Sequence, residues 1–192
     1  MDIAIIRHLP TAWNVKGKLQ GQKDIPIILP ISHEMETKIS ENKQKLKTLA
    51  PFDIILTSEL SRTKQTAKLY GYENTTVEPL LNELDFGDFE GESKRELEAI
   101  PEWKASPLEV SLGESLVQFQ NRIAAFLQKY AHYTSILIFG HGSWIRGLLS
   151  MKEIGTINKM NELTVQNNEL LILKNFELNL INSARSAYTQ YR

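Results

Sequence analysis

The sequence predicts a single α/β domain over residues 1–192, a three-layer α/β/α sandwich around a mostly parallel sheet. Three observations predict it. Short, nearly uninterrupted apolar runs rich in β-branched residues stand at 3–6, 52–58 and 135–139, as in strands buried on both faces. Each is followed by a stretch of helical spacing, and strands alternating with helices imply parallel pairing under helical cover. A length of 192 residues suits one domain and is enough to bury a core without staples.

In chain order, Ile3 to Ile6 form the first strand, ended abruptly by Arg7, His8 and Pro10. Residues 9–31 carry Pro10, Gly17, Gly21, Pro26 and Pro30 without sustained periodicity and read as a long loop. Ser32 caps a helix running to about Leu49, which Pro51 stops. Phe52 to Ser58 is the second strand, and 58–70 the next helix, closed by Gly71. Thr75 to Val77 read as a short third strand, the acidic and aromatic stretch 79–92 as a loop, and 96–103 as a short helix. Leu116, Phe119, Ile123, Phe126 and Leu127 give 114–133 an apolar helical stripe. Strand 135–139 and helix 144–151 follow. Leu170–Leu173 and 178–181 read as two further strands, paired as a hairpin, ahead of a polar, loosely ordered tail over 183–192.

Composition narrows the function classes. Twenty-two basic against 23 acidic side chains, a net charge of −1, give no reason to expect a nucleic acid or an anionic membrane as partner. The absence of cysteine excludes disulfides, thiolate nucleophiles and zinc–thiolate or iron–sulfur sites. No apolar run approaches the ~20 residues of a spanning helix, and the N-terminus, Met1-Asp2-Ile3-Ala4-Ile5-Ile6-Arg7-His8, lacks the pattern of a signal peptide. A cytoplasmic, soluble protein is expected; the oligomeric state is left open.

Three strands end in a polar signature: Arg7-His8, Thr57-Ser58 leading to Arg62, and Gly140-His141-Gly142. A parallel sheet carries its ligands at the carboxyl ends of its strands, so one rim would hold two imidazoles and two guanidiniums. Guanidinium forks match phosphate oxygens and keep their charge. A neutral imidazole supplies a nucleophilic nitrogen near pH 7. With no carboxylate cluster of metal-ligand spacing, this set points to metal-free phosphoryl transfer.

The blocks around these residues resemble the histidine phosphatase superfamily, in its phosphoglycerate-mutase-like branch. They stand in family order as Ile6-Arg7-His8-Leu9-Pro10-Thr11-Ala12-Trp13-Asn14, Thr57-Ser58-Glu59-Leu60-Ser61-Arg62, Leu81-Asn82-Glu83-Leu84-Asp85-Phe86-Gly87, Gly113-Glu114-Ser115 with Arg122, and Phe139-Gly140-His141-Gly142-Ser143-Trp144-Ile145-Arg146. The resemblance covers residues 3 to about 150. It implies a phosphoglycerate-mutase-like fold and a histidine acid-type phosphatase that needs no cofactor and acts on a small phosphorylated metabolite. It makes His8 the nucleophile, Arg7, Arg62 and His141 the grip on the phosphate oxygens, and Glu83 the general acid. Asn14 is an additional phosphate donor or else a turn residue, and Gly142 lines the site. The look is closest to the α-ribazole-phosphate and broad-specificity phosphatases. A phosphoglycerate-type mutase and a non-catalytic phosphate-binding module are the alternatives.

Two departures stand out. Leu9 replaces the glycine usual after the Arg-His pair: a backbone with positive φ would strain it, whereas a merely space-making glycine would leave Leu9 narrowing the pocket. Beyond Asp24, Pro26, Pro30 and Ser32 replace the family's helix opening.

Overall fold

Alternation along the sheet strands sorts their side chains into two cores. In the computed structural model, which describes residues 1–176, β1 is Asp2–Arg7, β2 Ile54–Thr57, β3 Thr76–Val77, β4 Ser135–Gly140 and β5 Leu170–Leu173. They form one sheet in the order β3-β2-β4-β1-β5. β1 pairs parallel with β4, β4 with β2 and β2 with β3, while β5 runs antiparallel along β1. The helices are α1 (Ala12–Val15), α2 (His33–Leu49), α3 (Ser61–Leu69), α4 (Lys94–Glu98), α5 (Glu102–Ala105), α6 (Leu116–Lys129) and α7 (Gly142–Ile154).

Ile3, Ile5, Leu56, Ile136 and Ile138 face a core completed by Phe119, Ile123 and Phe126 of α6 and Ile145 and Leu148 of α7. Ala4, Ile6, Leu137 and Phe139 face the other way, against Ile39 and Leu46 of α2 and Ala67 of α3. Alternating residues of the same strands thus bury against helices on both sides, the predicted three-layer α/β/α arrangement. Among the described residues, no helix is long and apolar enough to cross a membrane.

The caps explain most boundaries. Ser32 accepts from Met35 N at 3.3 Å to start α2, and Ser115 and Gln118 form a reciprocal capping box at α6. Inside the predicted loop 9–31, Thr11 and Asn14 build the same device and support the four-residue α1. The single helix expected over 96–103 is two short helices, because Pro101 disfavours helical backbone at Ile100. β5 is paired with β1, Ile3 opposite Leu173; the hairpin partner expected over 178–181 lies outside the described residues.

Leu9 realises neither expectation raised by its replacement of glycine. Its φ is not positive; among the described residues, positive φ at non-glycine positions occurs at Asn168 and Asn175. Its side chain is fully buried among Ile6, Ile27, Ile39 and Ala67, away from the cavity described below. Leu9→Ala should therefore cost about 2–5 kcal/mol of stability and leave substrate preference unchanged. Urea unfolding beside a substrate panel checks this, and an altered preference would put Leu9 back at the pocket.

Candidate active site

β2, β4 and β1 are neighbours and parallel, so their carboxyl ends meet as the sequence predicts: Arg7 lies opposite Gly140, and Thr57 opposite Phe139. His8 N extends the ladder by donating to Gly140 O at 2.9 Å. Above this rim opens a cavity of about 300 Å³, lined among others by Arg7, His8, Asn14, Arg62, Glu83 and Gly142.

His8 is 2% exposed, and its Nδ1 lies 2.7 Å from the carbonyl oxygen of Leu9. A carbonyl only accepts, so Nδ1 carries the hydrogen and Nε2 keeps a free lone pair. His141 is fully buried directly behind, its ring centroid 5.3 Å from that of His8. Arg62 Nε donates to its Nδ1 at 3.3 Å, which leaves Nε2 to donate to Ser58 Oγ at 2.7 Å. His141 does not line the cavity; it supports Arg62 and the His8 ring from beneath.

Burial pushes His8 well below the ordinary histidine value of 6.5, reinforced by Arg7 and Arg62 and opposed by the Leu9 bond. Burial does the same to His141, followed by Arg62, His8, Arg7 and Arg122. Both rings stay neutral in the folded chain. Below about pH 6.5 the unfolded chain takes up protons that the folded chain refuses, so stability falls with falling pH. Between pH 7 and 5 the slope should rise toward two protons per molecule, and His8→Asn should halve it. Urea midpoints measured across that range test this; a flat profile would mean that the rings protonate in place.

The guanidinium of Arg7 lies over Gly142: a Cβ there would stand 3.3 Å from Arg7 Cζ and Nε, so a side chain larger than hydrogen would crowd it. Arg7 Nη1 donates to Val165 O. Burial lowers the Arg7 pKa to about 10, opposed by Glu83 and assisted by Arg146 and Arg62. Arg62 is fully buried and spends two bonds on the loop, donating from Nη1 to Lys23 O at 2.8 Å and from Nη2 to Gly21 O at 2.7 Å.

Glu83, 8% exposed, caps the N-terminus of α7. Its Oε2 accepts from Ser143 N at 3.1 Å, and its Oε1 from Trp144 N at 3.2 Å and Leu84 N at 3.0 Å. These bonds pair N–H groups that a helix start otherwise leaves without partners. Its segment is fastened from behind by Arg122, which donates to the carbonyls of Leu80, Asn82 and Glu83 and pairs with Glu114 at 2.6 Å. The distant Glu114–Arg122 block therefore sets the position of Glu83. Asn14 serves the local turn, its Oδ1 accepting from Thr11 N at 3.0 Å in the capping box, and the residue also lines the cavity.

Trp144 packs edge-on against Phe126 and donates to Leu80 O, whereas Phe86 and Trp103 line the cavity. His33 is a solvated surface residue, 95% exposed. Sequence reasoning missed Arg146, Lys94 and the 165–169 turn. Asn168 N donates to Arg7 O, and Asn167 Nδ2 to His8 O at 2.9 Å, so this turn buttresses the Arg-His pair from the β5 side. Only Arg146 carried a readable signal, standing one helical turn beyond Gly142 on the same face.

The model of the histidine phosphatase superfamily (branch 1) matches residues 3–177. The adenosylcobalamin/α-ribazole phosphatase of Escherichia coli K12 is 31% identical over 170 residues, covering 79% of this chain and 76% of the relative. A 2,3-bisphosphoglycerate-dependent phosphoglycerate mutase of Bartonella henselae is 30% identical over 173 residues, covering 79% and 81%. The solved Rv3214 protein of Mycobacterium tuberculosis superimposes with a TM-score of 0.76 at 25% identity, covering 92% of this chain and 91% of that one. With the family model matching nearly the whole chain and the sheet shared with the solved relative, the chain belongs to branch 1 of the histidine phosphatase superfamily.

Proposed function

We propose that the chain is a metal-independent phosphatase that hydrolyses a small phosphorylated metabolite through a phosphohistidine on His8. The observation that carries this reading is the His8 ring itself: Nδ1–H is committed to Leu9 O, and the lone pair on Nε2 belongs to a ring on the wall of a cavity also lined by Arg7 and Arg62. In the first step Nε2 attacks phosphorus, the ester P–O bond breaks, and the leaving oxygen takes a proton from Glu83. The ring then carries positive charge, which the Leu9 carbonyl stabilises through Nδ1–H. In the second step water gives a proton to Glu83 and attacks phosphorus. The P–N bond breaks, and phosphate departs. Arg7 and Arg62 offset the charge on the equatorial oxygens throughout.

The relatives at 31% and 30% identity are a phosphatase and a mutase, so either water or a second substrate is the acceptor of the phosphoryl group. Phosphate release from a panel of small phosphomonoesters, in the presence of chelator and then of vanadate, tests the proposal. Release that survives chelation and stops with vanadate is the expected result. A phosphoenzyme stable in water that discharges only to a phosphorylated acceptor would make the chain a mutase. Phosphate binding without turnover on any ester would make it a binding module.

A further inference from the structure

The turn that buttresses Arg7 and His8 is itself anchored, by a buried polar cluster outside the cavity. Arg7 N donates to Glu169 O at 3.1 Å and Arg7 O accepts from Asn168 N at 3.0 Å, so the turn fixes both backbone groups of Arg7. His8 O accepts from Asn167 Nδ2 at 2.9 Å, and Val165 O from Arg7 Nη1. Asn168 makes this turn with left-handed backbone, φ 61°. Behind it, Tyr70 Oη donates to Asn168 Oδ1 at 2.6 Å, and Asn42 Nδ2 donates to Asn168 O and to Tyr70 Oη, each at 2.9 Å. Asn42, Tyr70 and Asn168 are all buried, and none of them lines the cavity. Burial pushes the Tyr70 hydroxyl up to about 12, opposed by its bonds to Asn42 and Asn168, so it keeps its hydrogen.

This cluster fixes geometry more than it adds stability. Tyr70 sits in an apolar core with Ile39, Leu46 and Ala67 and stands edge-on to Phe139, where apolar groups of the same shape would serve stability as well. Its hydroxyl has both hydrogen-bonding roles filled, and a filled buried network admits few arrangements. Asn168 carries two local costs at once, the left-handed φ and a buried Nδ2 with no acceptor among the described residues. Such costs persist where the surroundings enforce one conformation. The helix that ends at Tyr70 also carries the phosphate grip. Arg62 stands in the first turn of α3, about 12 Å from Tyr70 along the axis, and Thr66 between them accepts from Leu9 N at 3.0 Å. The start of α3 thus bears Arg62, its middle holds the residue after His8, and its end fixes the turn that holds Arg7.

We propose that Tyr70 is a positioning residue for phosphoryl transfer: through Asn168 its hydroxyl sets Arg7 and His8 in register with Arg62 at the other end of the same helix. This rests on the phosphatase reading of the cavity. Attack by His8 Nε2 on a phosphorus held by the two arginines needs these groups aligned to a fraction of an ångström. Binding of the anion tolerates more, because attraction between charges falls off gradually with distance. Loss of the hydroxyl therefore falls on turnover more than on binding.

The test compares Tyr70→Phe, which removes one oxygen and keeps the ring, with Leu127→Ala, which opens a space in the core on the other face of the sheet. With p-nitrophenyl phosphate, at a temperature where both variants are folded by circular dichroism, kcat of Tyr70→Phe should fall about tenfold. Inhibition by inorganic phosphate should change far less. Leu127→Ala should lose stability and keep its kcat. No loss of kcat in Tyr70→Phe, or an equal loss in Leu127→Ala, would overturn the proposal. Asn168→Gly keeps the left-handed backbone without the side chain and should lose kcat as Tyr70→Phe does, so it carries the same test if Tyr70→Phe fails to fold. The double variant should lose no more than either alone, and additive losses would overturn the route through Asn168. Nitrogen NMR of the imidazoles separates this proposal from its parent. The signal of His8 Nδ1–H, bonded to Leu9 O, should shift in Tyr70→Phe and stay in Leu127→Ala. A shift in a chain that releases no phosphate would uphold the positioning role and defeat the phosphatase. An unshifted signal would overturn the role whatever the turnover.

Discussion

Replacing His8 with alanine is expected to lower phosphate release by at least about three orders of magnitude, because the ring nitrogen proposed to attack phosphorus is then gone. The remaining wall of Arg7, Arg62 and the α7 N-terminus still binds the anion, so inorganic phosphate should continue to inhibit or stabilise the variant. Substrate binding and turnover are thereby separated. His8 is embedded beside the ring of His141, and its loss leaves a cavity, so near-ultraviolet circular dichroism should accompany the assay to show intact packing. The wild-type chain should yield an acid-labile phosphoprotein on rapid quenching, and the variant should not. Turnover retained in His8→Ala would move the nucleophile elsewhere, and the lone pair on Nε2 would lose its assigned role.

The second large effect is expected at Glu83. Glu83→Gln should slow hydrolysis of alkyl phosphates by about 10²–10⁴-fold, the usual range for loss of a positioned acid. The carboxylate accepts three backbone N–H bonds with its two oxygens. An amide would turn its NH₂ toward one of these donors, so a stability loss of about 1–3 kcal/mol should accompany the change. Rate and stability must therefore be read apart, and the leaving group does so. An aryl phosphate departs without a proton and should suffer far less in its first step than an alkyl phosphate. A loss of equal size on both would mean that Glu83 serves only to cap α7.

Much of this site was legible before any coordinates, for identifiable reasons. Arg7-His8, Arg62 and Gly140-His141 stand at or just beyond the ends of short apolar strands, and parallel pairing brings such ends together. Glu83 was legible through its block, but its partner was not. Nothing in the spacing of 83 and 143 says that a loop carboxylate closes the start of a helix sixty residues later. Arg122 is a similar case, since its role depends on three carbonyls that the 80–83 turn happens to direct at one guanidinium. The α1 cap within 9–31 was missed because Thr11-x-x-Asn14 departs from the usual Ser/Thr-x-x-Glu/Gln form. The split of 96–103 was readable in Pro101 and was underweighted.

What the sequence determined alone is the layering, the strand ends and the chemistry of the residues at the rim. Hydrophobic period and residue type are local properties, and they decide which side chains are buried and which can react. The tertiary structure decided where Leu9 points, which tautomer His8 adopts and that His141 sits behind the wall. It also decided that Arg146 and Lys94 share the cavity with His8 and Glu83. Each of these depends on groups far apart in the chain, meeting at distances of a few ångströms, where hydrogen bonding and electrostatics become strong. No sequence pattern encodes such distances directly.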